Sequence, residues 1–155
     1  MNQIPNVSVG RSGFKYQKAA ELCLKFANEI PEDIVGVAIV NAAFAIELYI
    51  KSFLAEKVIT KIEGKLHRVT AKTPYEHDLI KLYRRIDPKY KTLIQASSSK
   101  IDPNINFEEK LKNYKNYFFH SRYQYELNTL PCVDTEIITF CNHVRLVMLD
   151  VAKST

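Results

Sequence analysis

Glycine and proline are scarce in this chain, at four and six of 155 residues. That scarcity argues against turn-rich all-β architectures, which need both residues at many tight corners. Cysteine is scarcer still: Cys23, Cys132 and Cys141 form an odd set with no CxxC pair. A disulfide framework and a four-cysteine zinc site are therefore not expected. The thiols read best as small buried apolar groups in a reducing cytoplasm. Cys141 and His143, even with Cys132, give no metal-ligand spacing, so no metal is expected. Neither a Gly-rich phosphate loop nor a nucleophile elbow is present, and no cofactor is implied. No repeat, low-complexity tract or long linker divides the chain, which reads as one domain over 1–155. The opening segment "MNQIPNVSVGRSG" lacks the basic stretch and apolar run of a secretory signal. Residues 1–11 read as a short flexible lead, and a cytoplasmic location is the expectation.

What is present is ordinary for a soluble globular protein: 46% hydrophobic and 25% charged residues. The net charge of +5 is a mild bias toward polyanions and no more. The nearest thing to a membrane span, Ile34–Leu54, contains Asn41, Glu47, Lys51 and Ser52. A charge at mid-bilayer costs roughly 2.5 to 3.5 kcal/mol on insertion scales, so a buried central helix is expected and no membrane partner.

Helical punctuation runs through the chain. Ser12 is placed to cap a first helix reaching about Glu29, with Phe14, Ala19, Leu22, Cys23 and Phe26 on its apolar face. Pro31 stops it and opens a second helix over about 32–58, with Glu32 and Asp33 at the positive end of its dipole. That helix is apolar almost all round, as suits the middle of a bundle. Glu47 and Lys51 are its charged exceptions, four residues apart on one face, and are expected to be tied to partners if buried. Residues 60–72 read as a surface connection or short hairpin. Thr73, Pro74 and Glu76 form a capping-box pattern for a third helix bearing Leu79, Leu82, Tyr83 and Ile86. A further helix covers about 89–98. Asn106 caps the next, carrying Phe107, Leu111, Tyr114 and Phe118 with Glu108 and Glu109 in its first turn. Pro131 and Asp134 introduce a last helix with Ile137, Cys141, Val144, Met148 and Val151 at helical spacing. The expected fold is an all-α, antiparallel bundle of five or six helices.

Three segments, in order, resemble the HEPN family of small prokaryotic helical bundles: "AIELYIKSFL" (45–54), "HDLIKLYRRI" (77–86) and "FFHSRYQYE" (118–126). They resemble that family's acidic-then-lysine pattern, its His-x-Leu helix start and its Arg-Tyr ending, and the likeness spans roughly 14–150. The resemblance implies a bundle that often forms a homodimer. It also implies toxin–antitoxin, phage-defence or RNA-processing settings, with a nucleotidyltransferase or antitoxin partner and RNA as a ligand. Active members are metal-independent endoribonucleases in which four to six residues separate an arginine from the histidine that follows it, often with a polar residue directly after the arginine. The matching stretch here is Lys115-Asn116-Tyr117-Phe118-Phe119-His120, with lysine in the arginine's place.

That departure has chemical weight. An arginine fork binds phosphate through two aligned hydrogen bonds, whereas lysine offers a mobile point charge. Metal-free phosphodiester cleavage needs an acid or base near neutral pKa and a cation for the developing charge. His120 is the candidate for the first role and Lys115 or Arg122 for the second, with Asn116 as the polar residue beside Lys115. On one ideal helix Lys115 and His120 stand about 140° apart, so the catalytic version joins them across a homodimer. Glu47, Lys51, His77, Arg122 and Glu126 read instead as an internal polar network that fixes helix packing. Lys81, Arg84, Arg85, Lys89 and Lys91 offer a phosphate-binding face or a solvated surface. The aromatic residues of 114–125 are core at helical spacing, with base stacking as the alternative. The leading expectation is a binding or interaction protein. A metal-independent endoribonuclease is the enzyme alternative, and a purely structural interaction subunit is the third.

Overall fold

The computed structural model describes residues 4–29, 34–62, 64, 67–118 and 134–155. Among these, six helices and one two-stranded sheet follow in the order α1 (Val7–Lys25), α2 (Ile34–Ser52), β1 (Glu56–Lys61), β2 (His67–Lys72), α3 (Leu79–Arg85), α4 (Pro88–Ile101), α5 (Phe107–Asn113) and α6 (Glu136–Ser154). The fold is mostly helical, as expected. The antiparallel hairpin is the departure from an all-α chain.

α2 is the centre of the core. Ala38, Ala42, Ala45, Ile39, Ile46 and Ile50 are buried along it, each isoleucine contributing roughly 1.5 to 3 kcal/mol by leaving water. α1 runs antiparallel to it: the Asn6 N–H donates to the Ser52 carbonyl at 2.7 Å, and Gln17 meets Tyr49. Close approach needs Gly13, where a Cβ would stand 2.8 Å from Tyr49 Cε1 and 3.2 Å from the Ala45 carbonyl. α6 closes the other side through Ile137, Cys141, Val144, Val147, Met148 and Val151. By length and composition α2 could cross a membrane, but 56% of its apolar window is buried inside the protein.

Several helix ends differ from the sequence-based expectation. α1 begins at Val7, with Asn6 Oδ1 accepting from the Val9 N–H at 3.2 Å. Ser12 lies inside the helix and donates back to the Ser8 carbonyl, so residues 7–11 are helical rather than a flexible lead. α1 ends at Lys25, before Glu29. α2 ends at Ser52 rather than 58, because the β-branched run Val58-Ile59-Thr60 pairs as a strand. The register runs from Glu56 opposite Lys72 to Lys61 opposite His67. Gly64 turns between the strands at φ +85°, a conformation glycine adopts without a Cβ penalty.

α3 is capped not by Thr73 but by Asp78, whose carboxylate accepts from the Ile80 and Lys81 N–H groups at 2.9 and 3.0 Å. Asp87 and Pro88 open α4, which continues to Ile101 rather than 98. Asn106 caps α5 as read from the sequence, accepting from the Glu109 N–H. The expected roles of Pro31, Glu32, Asp33 and Pro131 lie outside the described residues.

Candidate functional site

Glu47 and Lys51 sit one turn apart on α2, so their side chains share a face. Lys51 Nζ donates to Glu47 Oε1 at 2.7 Å, and the glutamate is 0% exposed. A buried carboxylate needs more than one partner. The second comes from thirty residues on: His77 Nδ1 lies 3.0 and 3.1 Å from the two Glu47 oxygens. An ionised carboxylate only accepts, so Nδ1 carries the proton and Nε2 is the ring nitrogen not engaged by Glu47. The imidazole is 37% exposed, which makes this an internal ion pair with one face toward solvent.

The segment leading into α3 holds the histidine in place. Glu76 Oε1 accepts from the backbone N–H groups of His77 and Asp78 at 2.9 and 3.1 Å. Those donors, Asp78 first and His77 next, hold the Glu76 carboxyl below its usual range.

Around His77 runs a row of rings from four parts of the chain. Tyr75 meets it edge-on at 5.7 Å, and Phe118 lies against it at 5.4 Å. Phe118 stacks on Phe44 at 4.6 Å, and Phe44 meets Tyr16 at 4.5 Å. Tyr75 is 98% exposed, so its ring faces are open to solvent. Tyr16, Phe44 and Tyr75 were not singled out in the sequence. No local signal marks them, since their alignment depends on three separate elements meeting.

The structure therefore brings Glu47, Lys51 and His77 together. Arg122 and Glu126, expected in the same network, lie outside the described residues, as does His120. Lys115 and Asn116 are exposed in the turn after α5. The Lys115 carbonyl accepts from the Leu79 N–H at 3.3 Å, which sets that turn against the start of α3, two residues from His77.

The basic residues of α3 and α4 divide among separate tasks. Lys81, Arg84 and Arg85 share the outer face of α3, and Lys81 approaches Glu76 at 3.9 Å. Arg85 lines a polar cleft of about 420 Å³ with Glu56, Lys72 and Thr73. Lys91 donates to the Arg84 carbonyl, and Lys89 lies over the Tyr90 ring. Lys91 thus serves the end of α3, Lys81 sits loosely beside Glu76 and Lys89 over Tyr90, and Arg84 and Arg85 are exposed on the outer face of α3.

Two further polar sites are buried. Ser98 Oγ and His143 Nε2 are 2.8 Å apart between α4 and α6. Burial pushes the His143 imidazole below its ordinary pKa, with Asp102 acting weakly the other way. Among the described residues no carboxylate is hydrogen-bonded to that ring, so the pair lacks the orienting acid of a hydrolytic triad and acts as a strut between helices. Tyr49 Oη donates to Gln17 Oε1 at 2.6 Å, and Gln17 Nε2 donates to Glu21 and Asn142. Cys141 is buried, and burial raises its thiol pKa well above normal, which makes it unreactive. Cys132 lies outside the described residues. Among the described residues no group of three or more His, Cys, Asp and Glu is placed to hold a metal ion.

No family model, curated protein or solved structure matches the chain.

Proposed function

We propose that this chain is a HEPN-like helical bundle that binds single-stranded RNA or a nucleotide in the cytoplasm. The setting proposed is a toxin–antitoxin or phage-defence system, with the chain acting as a homodimer or beside a nucleotidyltransferase or antitoxin partner. The observation that carries the reading is the His77 centre. A histidine oriented by a buried carboxylate stands beside a fully exposed tyrosine ring, with Lys81 and the Lys115 turn nearby. Ring faces stack bases without regard to sequence, and lysines supply the phosphate attraction. His77 Nε2, left without the proton, accepts a hydrogen bond from an N–H on a base edge.

Binding is tested by anisotropy of a labelled single-stranded RNA in EDTA at two salt concentrations. Stacking is worth about 1 to 3 kcal/mol per base, so Tyr75→Ala weakens binding by about 5-fold to 150-fold. Tyr75 packs so little that this variant stays folded. Lys81→Ala and Lys115→Ala lower affinity and flatten its salt dependence. Affinity unchanged by all three variants rules the site out, and no RNA binding at all leaves the purely structural subunit.

The setting of the Lys115–Asn116 turn against α3 supports a second reading, a metal-independent endoribonuclease. In it His120 works with Lys115 or Arg122 across the homodimer. RNA cleavage in EDTA that is lost in His120→Ala supports the enzyme, and cleavage retained in that variant excludes it.

A further inference from the structure

A second surface lies apart from the His77 centre, in the crevice between the first turns of α1 and the last turns of α6. The two helices run antiparallel there: Arg145 of α6 lies over the Phe14 ring at 4.8 Å, and Thr155 Oγ1 donates to the Ile4 carbonyl at 3.0 Å. Between them is an apolar groove of about 240 Å³, with Val7 and Phe14 on one bank and Leu149 and Ala152 on the other. Val7, Phe14 and Leu149 are large apolar side chains left exposed on its rim. Gly10 keeps the α1 bank low, since a Cβ there would stand 3.1 Å from Met148 Sδ.

Among the described residues, the ionisable side chains of the groove that carry charge at neutral pH are Arg11 and Arg145, and no carboxylate lines it. Neither guanidinium forms an ion pair within 4 Å among the described residues.

We propose that this groove seats about two turns of an acidic amphipathic helix from a partner protein. Length is the first support. Each bank runs over an i to i+7 interval, Val7 to Phe14 and Arg145 to Ala152, which is about 10 Å of helix. A helix laid in such a groove presents apolar residues at i, i+4 and i+7 and keeps its other face in water. Charge is the second support: Arg11, and Arg145 over the Phe14 ring with Glu21 acting on it beyond 4 Å, place two guanidiniums beside an apolar floor, which matches carboxylates flanking an apolar stripe. The net charge of +5 steers an acidic partner from a distance.

The same observations set aside the other occupants. A second copy of this chain, paired through a two-fold axis, would place the arginine-bearing face against itself. The volume is below the roughly 300 Å³ at which small-molecule pockets begin, and the groove is open to solvent.

The test uses the full chain and two synthetic, fluorescein-labelled helical peptides. Both carry leucine at i, i+4 and i+7; one has flanking glutamates, the other lysines at the same positions. The acidic peptide is expected to bind at least about tenfold tighter in anisotropy titrations. Arg11→Glu with Arg145→Glu reverses that order. Ala152→Phe, which fills the groove, weakens both peptides, and Leu149→Asp at the exposed rim does the same should Ala152→Phe fail to fold. Thermal melts establish that each variant is folded. Failure of the acidic peptide to bind, equal binding of the two peptides, or indifference to the arginine reversals overturns the proposal. So does a dimer, seen by sedimentation, that the double arginine reversal dissociates, because the occupant is then a second copy. Saturable binding of decanoate that Ala152→Phe abolishes, without peptide binding, assigns the groove to a small carboxylate and equally overturns it.

Discussion

Replacing Lys51 by methionine tests whether the Glu47 centre is an internal charged structure. At 2.7 Å two unit charges attract by roughly 6 kcal/mol at an effective dielectric constant of about 20. Removing each ion from water costs several kcal/mol, so the intact pair contributes close to nothing net. Taking away the lysine alone is a different matter. Among the described residues Glu47, fully buried, then keeps only the half-exposed His77 as partner, and breaking a buried pair in this way costs about 3 to 5 kcal/mol. For a domain of this size 1 kcal/mol lowers Tm by about 2 to 4 °C, so Lys51→Met should melt roughly 6 to 20 °C below wild type.

The double variant Glu47→Leu with Lys51→Met removes both charges and keeps the volume. It should recover to within about 1 kcal/mol of wild type or exceed it. His77 Nδ1 then turns to water, which its exposure allows. Urea melts analysed with calorimetry give both numbers. A single variant that loses less than about 1 kcal/mol, or a double variant as unstable as the single, refutes the reasoning.

Glycine contacts predict a contrast within α1. Gly13→Ala drives a Cβ into the Tyr49 ring and the Ala45 backbone and should cost about 1 to 3 kcal/mol. Gly10→Ala meets only the flexible end of Met148 and, with alanine's better helix propensity, should be neutral or stabilising by up to about 1 kcal/mol; equal melting temperatures for the two variants would contradict the packing of α1 on α2. Tyr49→Phe leaves Gln17 Oε1 buried without its donor and should cost about 1 to 3 kcal/mol in chemical denaturation. Burial depresses the His143 pKa, so the unfolded chain takes up that proton first on acidification. The stability due to neutral His143 is complete above about pH 6.5 and is lost as the pH falls through the lower, folded value. Urea midpoints measured across that range should decline in wild type and decline less in His143→Gln; parallel profiles would remove His143 as the cause.

Local chemistry was legible where it acts over a few residues. The Asn106 cap was read correctly, and so was the apolar stripe from Ile137 to Val151, because a cap spans three residues and a stripe follows the helical period. The start of α1 was misread for a related reason. Ser12 is a good cap residue, and Gly10 just before it lowers helix propensity by about 1 kcal/mol, yet the helix starts at Val7 behind the Asn6 cap. Packing favours the earlier start, since Gly10 and Gly13 let α1 lie against Met148 and Tyr49. At α3 the Thr73–Glu76 spacing matched a capping box, yet Glu76 turns its carboxylate to the His77 and Asp78 N–H groups and Asp78 caps the helix. Both segments offer adequate local solutions, which is why spacing alone did not pick the one adopted.

By itself the sequence determined the helical class, the central place of the apolar α2 and the common face of Glu47 and Lys51. These follow from residue period and hydropathy, which need no knowledge of distant neighbours. Only the tertiary structure decided that the pair is buried, that His77 Nδ1 reaches Glu47 and that four chain segments align their rings beside it. It also decided that the exposed Arg11 and the half-buried Arg145 flank an apolar crevice between the first turns of α1 and the last turns of α6. Such placements depend on how helices far apart in sequence meet, and no local spacing carries that information.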